Sequence, residues 1–256
     1  MGDKSNPGWR SRTRAVRAGL DRSPHGETSE ALFLNSGFVY DSAEQAEARF
    51  LGDDEGYIYS RYGNPTVSMF EERLAQIDGS EACFATASGM AAVFAALLCQ
   101  LQSGDHVVAS RALFGSCHYI LTQLLPRYGI KVDLVDGADL SQWQAKINDG
   151  TTVVFFETPS NPTLDLIDLE AVIELAHGVG ARVVVDNVFS TPILQRPAEY
   201  GADVVVYSGT KHMDGQGRIL GGAVLSSEAF IADHLMNFMR HTGPAMSAFN
   251  AWILLK

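Results

Sequence analysis

From residue 82 onward, short apolar runs alternate with stretches in which apolar residues recur every three or four positions. The runs at 82–86, 106–109, 131–135, 152–157, 182–186 and 203–207 predict buried strands. The stretches at 90–101, 118–128 and 169–178 predict helices between them. A further helix is announced before the first strand. Asn64 can cap it, Pro65 suits its first position, Val67, Phe70, Leu74 and Ile77 share one face, and Gly79 stops it. Several of the strand runs are apolar throughout rather than alternating, the pattern of a parallel sheet covered on both faces. The expected fold is therefore an α/β domain with a mostly parallel, doubly wound sheet over residues 65–256. Residues 1–64 are rich in Arg, Gly, Ser and acidic residues with only brief apolar stretches, and they read as a loop-rich arm.

Composition narrows the partners. The 256 residues are 46% hydrophobic and 19% charged, ordinary for a globular core, with a formal net charge of −11 and a pI near 5.0. So acidic a chain is a poor match for nucleic acid or an anionic membrane, and no run reaches the roughly 18 uncharged residues of a membrane helix. Arg10, Arg12, Arg14 and Arg17 have no apolar block behind them, which argues against a secretory signal and leaves a solvated arm as the favoured reading over a transit peptide. Cys83, Cys99 and Cys117 are odd in number and set in apolar surroundings, as reduced thiols in a cytoplasm would be. The histidines show no metal-ligand spacing, so no metal is expected.

Chemistry concentrates where strands end. The run 203–207 leads into Ser208-Gly209-Thr210-Lys211-His212, and the run 182–186 ends in Asp186-Asn187. A lysine after a buried strand, between hydroxyl side chains, suits a Schiff base to an aldehyde cofactor that carries a phosphate. An aspartate at a neighbouring strand end suits a protonated pyridine nitrogen. Together they point to pyridoxal 5'-phosphate. Ser88-Gly89-Met90, between a strand and a helix, offers backbone N–H groups to an anion. In doubly wound sheets these carboxyl ends share one edge, where ligands bind.

Taken singly, each signal has a plainer reading. Lys211 alone is an ordinary surface lysine, and Asp186 alone is as readily a turn residue. Ser88-Gly89-Met90 alone is a tight turn. Tyr59-Ser60-Arg61-Tyr62-Gly63-Asn64-Pro65 is equally an aromatic turn or a phosphate clamp. Gly215-Gln216-Gly217 opens no helix and lacks a third glycine, so a dinucleotide fingerprint and nicotinamide chemistry are rejected.

Five motifs in order resemble the Cys/Met-metabolism family of pyridoxal-phosphate enzymes, of aminotransferase fold type I. They are Tyr59 to Thr66, Ser88 to Met90, Glu157-Thr158-Pro159-Ser160-Asn161-Pro162-Thr163, Val185-Asp186-Asn187 and Tyr207 to His212. The resemblance implies that Lys211 carries the cofactor and then shuttles protons, and that Asp186 pairs with the ring nitrogen. Gly89, Met90, Ser208 and Thr210 would hold the phosphate, with Asn161 near the ring's phenolic oxygen. Tyr59 and Arg61, on the arm, would reach the phosphate of a neighbouring subunit, implying a homodimer or homotetramer, and Tyr59 would share the proton work with Lys211.

Two departures qualify the resemblance. Phe114 stands where most members stack a tyrosine on the ring, so that position can stack but cannot move a proton. Ser116 stands where methionine γ-lyases usually carry a cysteine. With the Ser23-Pro24-His25-Gly26-Glu27 and Thr242 to Ser247 segments, Phe114 and its neighbours resemble the homoserine-ester sulfhydrylases most. That implies γ-replacement on O-succinyl-L-homoserine by sulfide, giving homocysteine and succinate. Cystathionine γ-synthase and γ-lyase activities are the alternatives within the family. Members also continue into a C-terminal domain expected to be absent here, so the alternative from another class is a non-catalytic pyridoxal-phosphate-binding fragment.

Overall fold

A computed structural model describes residue 6 and residues 8–256. The first five residues and Pro7, included in the arm expected over 1–64, lie outside the described residues. The centre is a seven-stranded sheet of β1 (Ala82–Thr86), β2 (His106–Ser110), β3 (Lys131–Val135), β4 (Thr151–Glu157), β5 (Arg182–Asp186), β6 (Val204–Ser208) and β7 (Gly222–Ser226). Their order across the sheet is β1-β7-β6-β5-β4-β2-β3. Only the pairings of β7 with β1 and β6 are antiparallel, so β1 to β6 all run in one direction.

The wholly apolar strands are explained by two cores. In β4, Val153 and Phe155 face one layer while Val154 and Phe156 face the other, all with no exposed surface. Each such side chain contributes about 1.5–3 kcal/mol on burial. The first layer holds α4 (Gly89–Leu98) and α5 (Gly115–Tyr119). The second holds α3 (Pro65–Asp78), α6 (Leu140–Lys146), α7 (Leu169–Gly178) and the helix Ala248–Leu254. Helix α3 starts as its sequence predicts. The Asn64 side chain accepts from Thr66 N–H at 3.0 Å, Pro65 occupies the first turn, and Gly79 leaves at φ +92°.

Three expectations change. The arm is not irregular throughout: it contains α1 (Ser11–Arg17) and α2 (Ala43–Leu51), the latter capped by Ser42. The helix expected over 118–128 is broken into α5, a wide turn at Ile120–Leu124 and a tight one at Leu125–Tyr128, where Pro126 has no N–H to continue the ladder. Strand β7 was not anticipated. Its leading glycines hid an apolar run, and Gly222 is required because a Cβ there would lie 2.3 Å from the Ser88 carbonyl oxygen.

The arm is tied to the domain by a buried cation. Arg73 on α3 donates to Glu30 Oε1 at 2.7 Å, to the Ala18 carbonyl at 2.8 Å and to the Leu255 carbonyl at 2.8 Å. Lys256 donates to the other Glu30 oxygen at 2.7 Å. Burial opposes ionisation of Glu30, but the Lys256 and Arg73 donors hold its carboxyl below the usual range. The pair's stability is therefore complete above the ordinary carboxylate range and lost as pH falls beneath it. Arg73→Met should destabilise the chain by about 3–5 kcal/mol in urea titrations, because it leaves the buried Glu30 carboxylate to Lys256 alone and takes the donor from the Ala18 and Leu255 carbonyls. A change below 1 kcal/mol would show that the tether is incidental.

Candidate functional site

Because β1 to β6 are co-directional, the ends of β1, β4, β5 and β6 open on one edge of the sheet. Residues at and after these ends, with Phe114 from the segment after β2, line a cleft of about 520 Å³, among them Ser88, Gly89, Asn161, Asp186 and Lys211. That volume suits a small organic ligand. Two smaller openings, about 300 and 440 Å³, lie elsewhere, around Arg182 and Ser226 and around His106 and Asp133.

The cleft floor is acidic. Asp186 and Glu157 are directly paired residues of β5 and β4, on the face that carries α4. Both are almost completely buried. Burial first, then the Glu157 charge, pushes the Asp186 carboxyl up to about 7, against the pull of the Val188 N–H, which donates to Oδ1 at 3.1 Å. Burial also raises Glu157, opposed by N–H donors from Phe114, at 2.8 Å, and Asn161. A protonated nitrogen placed against Asp186 would relieve the penalty of an ionised carboxylate there.

One wall is an N–H cradle. Ser88 caps α4 by accepting from Ala91 N–H at 3.1 Å, which leaves the Gly89 and Met90 N–H groups at the lip without intrahelical partners. Ser208, ending β6, stands against this turn. A Cβ at Gly89 would lie 2.5 Å from Ser208 Cβ and 2.9 Å from its Oγ. Position 89 thus has no room for a side chain. The bare helix start and a hydroxyl make an electropositive corner suited to a phosphate.

Lys211 is exposed at the cleft, on a turn whose helical geometry is broken at Lys211 itself. Thr210 Oγ1 accepts from Gly221 N–H at 3.1 Å and lines the same cleft. Phe114, 41% exposed, brings its ring to the opposite wall, with Cys117 beside it. Burial, with the Asp186 and Glu157 charges, raises the Cys117 thiol, so it is no ready nucleophile.

Tyr59 and Arg61 do not join this cleft. The Arg61 guanidinium stacks 5.2 Å from the Tyr59 ring and 4.9 Å from Tyr62, and it donates to the Arg240 carbonyl. Eight of the ten residues singled out by sequence therefore meet in one chain's cleft, and these two stand apart on the arm.

Sequence reasoning missed the support on the far face of the sheet. Tyr207 donates to Asp78 and accepts from Asn187 Nδ2 at 2.7 Å, while Gln195 bridges Asn187 to the Thr158 carbonyl. This buried chain joins the segments bearing Ser208, Asp186 and Asn161. It also passed over the Glu157 side chain, although the residue lies within a quoted motif. No signal in the sequence alone distinguishes such a carboxylate from a solvated one. Among the described residues, no cluster of His, Cys, Asp and Glu is placed to hold a metal, and no helix is long and apolar enough to cross a membrane.

The model of the Cys/Met metabolism PLP-dependent enzyme family matches residues 12–256, and the chain belongs to that family, whose cofactor is pyridoxal phosphate. It is 59% identical over 244 residues to the O-succinylhomoserine sulfhydrylase of Mycobacterium tuberculosis, covering 95% of this chain and 60% of the relative. It is 40% identical over 244 residues to the L-methionine γ-lyase of Porphyromonas gingivalis, covering 94% of this chain and 61% of that protein. The chain thus spans about 60% of the length of the curated relatives it matches. Among solved structures, a Campylobacter jejuni protein assigned as an O-acetylhomoserine (thiol)-lyase superposes with a TM-score of 0.91 at 29% identity. The match covers 97% of this chain and 70% of that one, which contains N'-pyridoxyl-lysine-5'-monophosphate. The cystathionine γ-lyase of Lactobacillus plantarum, complexed with L-serine, gives 0.88 at 27% identity, covering 96% and 62%.

The contact at position 89 makes the cradle testable. Gly89→Ala should force α4 away from Ser208 and weaken pyridoxal-phosphate binding at least about fivefold in a fluorescence titration, since overpacking at such a contact costs about 1–3 kcal/mol. Unchanged affinity would place the phosphate elsewhere.

Proposed function

We propose that this chain forms the cofactor-binding part of an enzyme that replaces the succinyl group of O-succinyl-L-homoserine with sulfide, yielding homocysteine and succinate. The observation that carries the reading is the convergence of Lys211, Asp186 and the Gly89–Ser208 corner on a single cleft. Their chemistry fits pyridoxal phosphate. An amine stands at the lip, a buried carboxylate on the floor, and backbone N–H groups with a hydroxyl form an anion corner. When bound, the cofactor supplies an electron sink for bond breaking at the substrate's α, β and γ carbons.

The protein's side chains do the rest. Lys211 Nζ holds the cofactor covalently and then takes and returns protons at the α and β carbons. Asp186 holds a proton on the ring nitrogen. The Gly89 and Met90 N–H groups and the Ser208 and Thr210 hydroxyls hold the phosphate. Asn161, which lines the cleft, would help hold the cofactor ring. Phe114 would offer the ring an aromatic wall and can neither donate nor accept a proton, so proton movement would fall to Lys211 and Tyr59. Tyr59 and Arg61, set apart from their own cleft, serve the phosphate of a second copy of the chain, and the arm over 1–64 is the part that crosses. In the net substitution the γ-carbon–oxygen bond breaks, succinate carries off the electron pair, and a sulfur–carbon bond forms from hydrosulfide.

The 59% identity to a sulfhydrylase supports the choice of ester and nucleophile. The 40% identity to a methionine γ-lyase supports elimination as the second reading. Incubation with O-succinylhomoserine, with and without sulfide, separates them. Homocysteine formed only with sulfide is the expected result. 2-Oxobutyrate as the sole product under both conditions would overturn replacement in favour of elimination.

A further inference from the structure

Glu157 has no part in the reading above, yet it is the most constrained acidic group in the cleft. It is 3% exposed, sits directly beside Asp186 on the neighbouring strand, and lines the cleft. Its Oε2 accepts the Phe114 N–H at 2.8 Å, and the Asn161 backbone N–H favours its charged form from the loop after β4. Those donors come from two separate loops, one bearing the aromatic wall and the other the residue on the phenolic side. A group met by N–H donors from two loops must accept rather than donate. A carboxylate does so at either oxygen, whereas an amide can do so at one only. Burying a carboxylate beside another is costly, and hydrogen bonds from backbone donors are what make it tolerable.

We infer that Glu157 is a positioning residue of the cofactor site, clamping the Phe114 and Asn161 loops to the sheet edge and adding a second negative charge behind the ring nitrogen held by Asp186. The inference rests on the cofactor reading above. The clamp sets the gap between aromatic wall and floor, and with it the face that Phe114 turns to the ring. Across a few ångströms of low-dielectric protein, the added charge favours a proton on the nitrogen. The other groups facing the pair are the Cys117 thiol from α5 and Lys211 and His212 from the turn after β6. The Tyr207 hydroxyl and Asp78 carboxyl lie behind the sheet. Burial holds the Cys117 thiol and Tyr207 hydroxyl neutral at ordinary pH, so neither supplies the charge that Glu157 does.

The test compares the protein with its Glu157→Gln variant, each reconstituted with pyridoxal phosphate labelled with ¹⁵N in the ring. In the variant the ring nitrogen should lose its proton at a pH at least one unit lower. The visible circular dichroism of the bound cofactor should change as the Phe114 wall shifts. A variant that is merely less heat-stable, with the nitrogen titration and dichroism of the original, would make Glu157 a structural residue and overturn the inference. If the variant does not fold, amide hydrogen exchange on the unaltered protein decides. The Phe114 and Asn161 amides should exchange slowly, and fast exchange at either contradicts the clamp. Failure of the unaltered protein to bind pyridoxal phosphate would instead overturn the cofactor reading itself.

Discussion

The site depends on the contact between the first turn of α4 and the end of β6. Gly89 and Ser208 meet so closely that no Cβ can stand between them. This contact exists because the helix after β1 packs back over β6 and β7 rather than over its own strand's outer side. Glycine at 222 repeats the requirement one strand away, where the chain passes against the Ser88 carbonyl. At both positions the missing side chain lets the neighbouring segment approach more closely than any Cβ would permit. The result is a fixed electropositive corner, made without a cationic side chain, beside the turn that carries Lys211.

The sheet's other contribution is an acidic floor. Parallel pairing puts Glu157 and Asp186 side by side at the same height, and both are almost completely buried. Hydrogen bonds from Val188, Phe114 and Asn161 make this tolerable, and a cationic ring nitrogen would compensate the rest. On the opposite face the Asp78–Tyr207–Asn187–Gln195 chain fixes the same strand ends from behind. The edge is thus held from both layers, while Lys211 itself stays exposed.

Much of this was legible in the sequence. Apolar runs without alternation announced a parallel sheet, and Asn64-Pro65 with Gly79 marked the limits of α3. Lys211 and Asp186 stood out because strand ends are where such sheets bind ligands. What remained hidden depended on partners distant in sequence. The arm's helices are short and bury no residue of their own, so no apolar core face announces them. Strand β7 begins at Gly222, whose role appears only once Ser88 lies opposite. Glu157 was visible as a residue but not as a group, since its role rests on donors 43 residues earlier and four residues later.

One measurement addresses the central claim, that these strand ends assemble around Lys211 to bind pyridoxal phosphate covalently. The protein reconstituted with the cofactor is treated with borohydride, digested, and mapped by mass spectrometry. The account predicts a phosphopyridoxyl group on the peptide containing Lys211 and on no other lysine. Modification of a different lysine, or none at all after saturating cofactor, would contradict it.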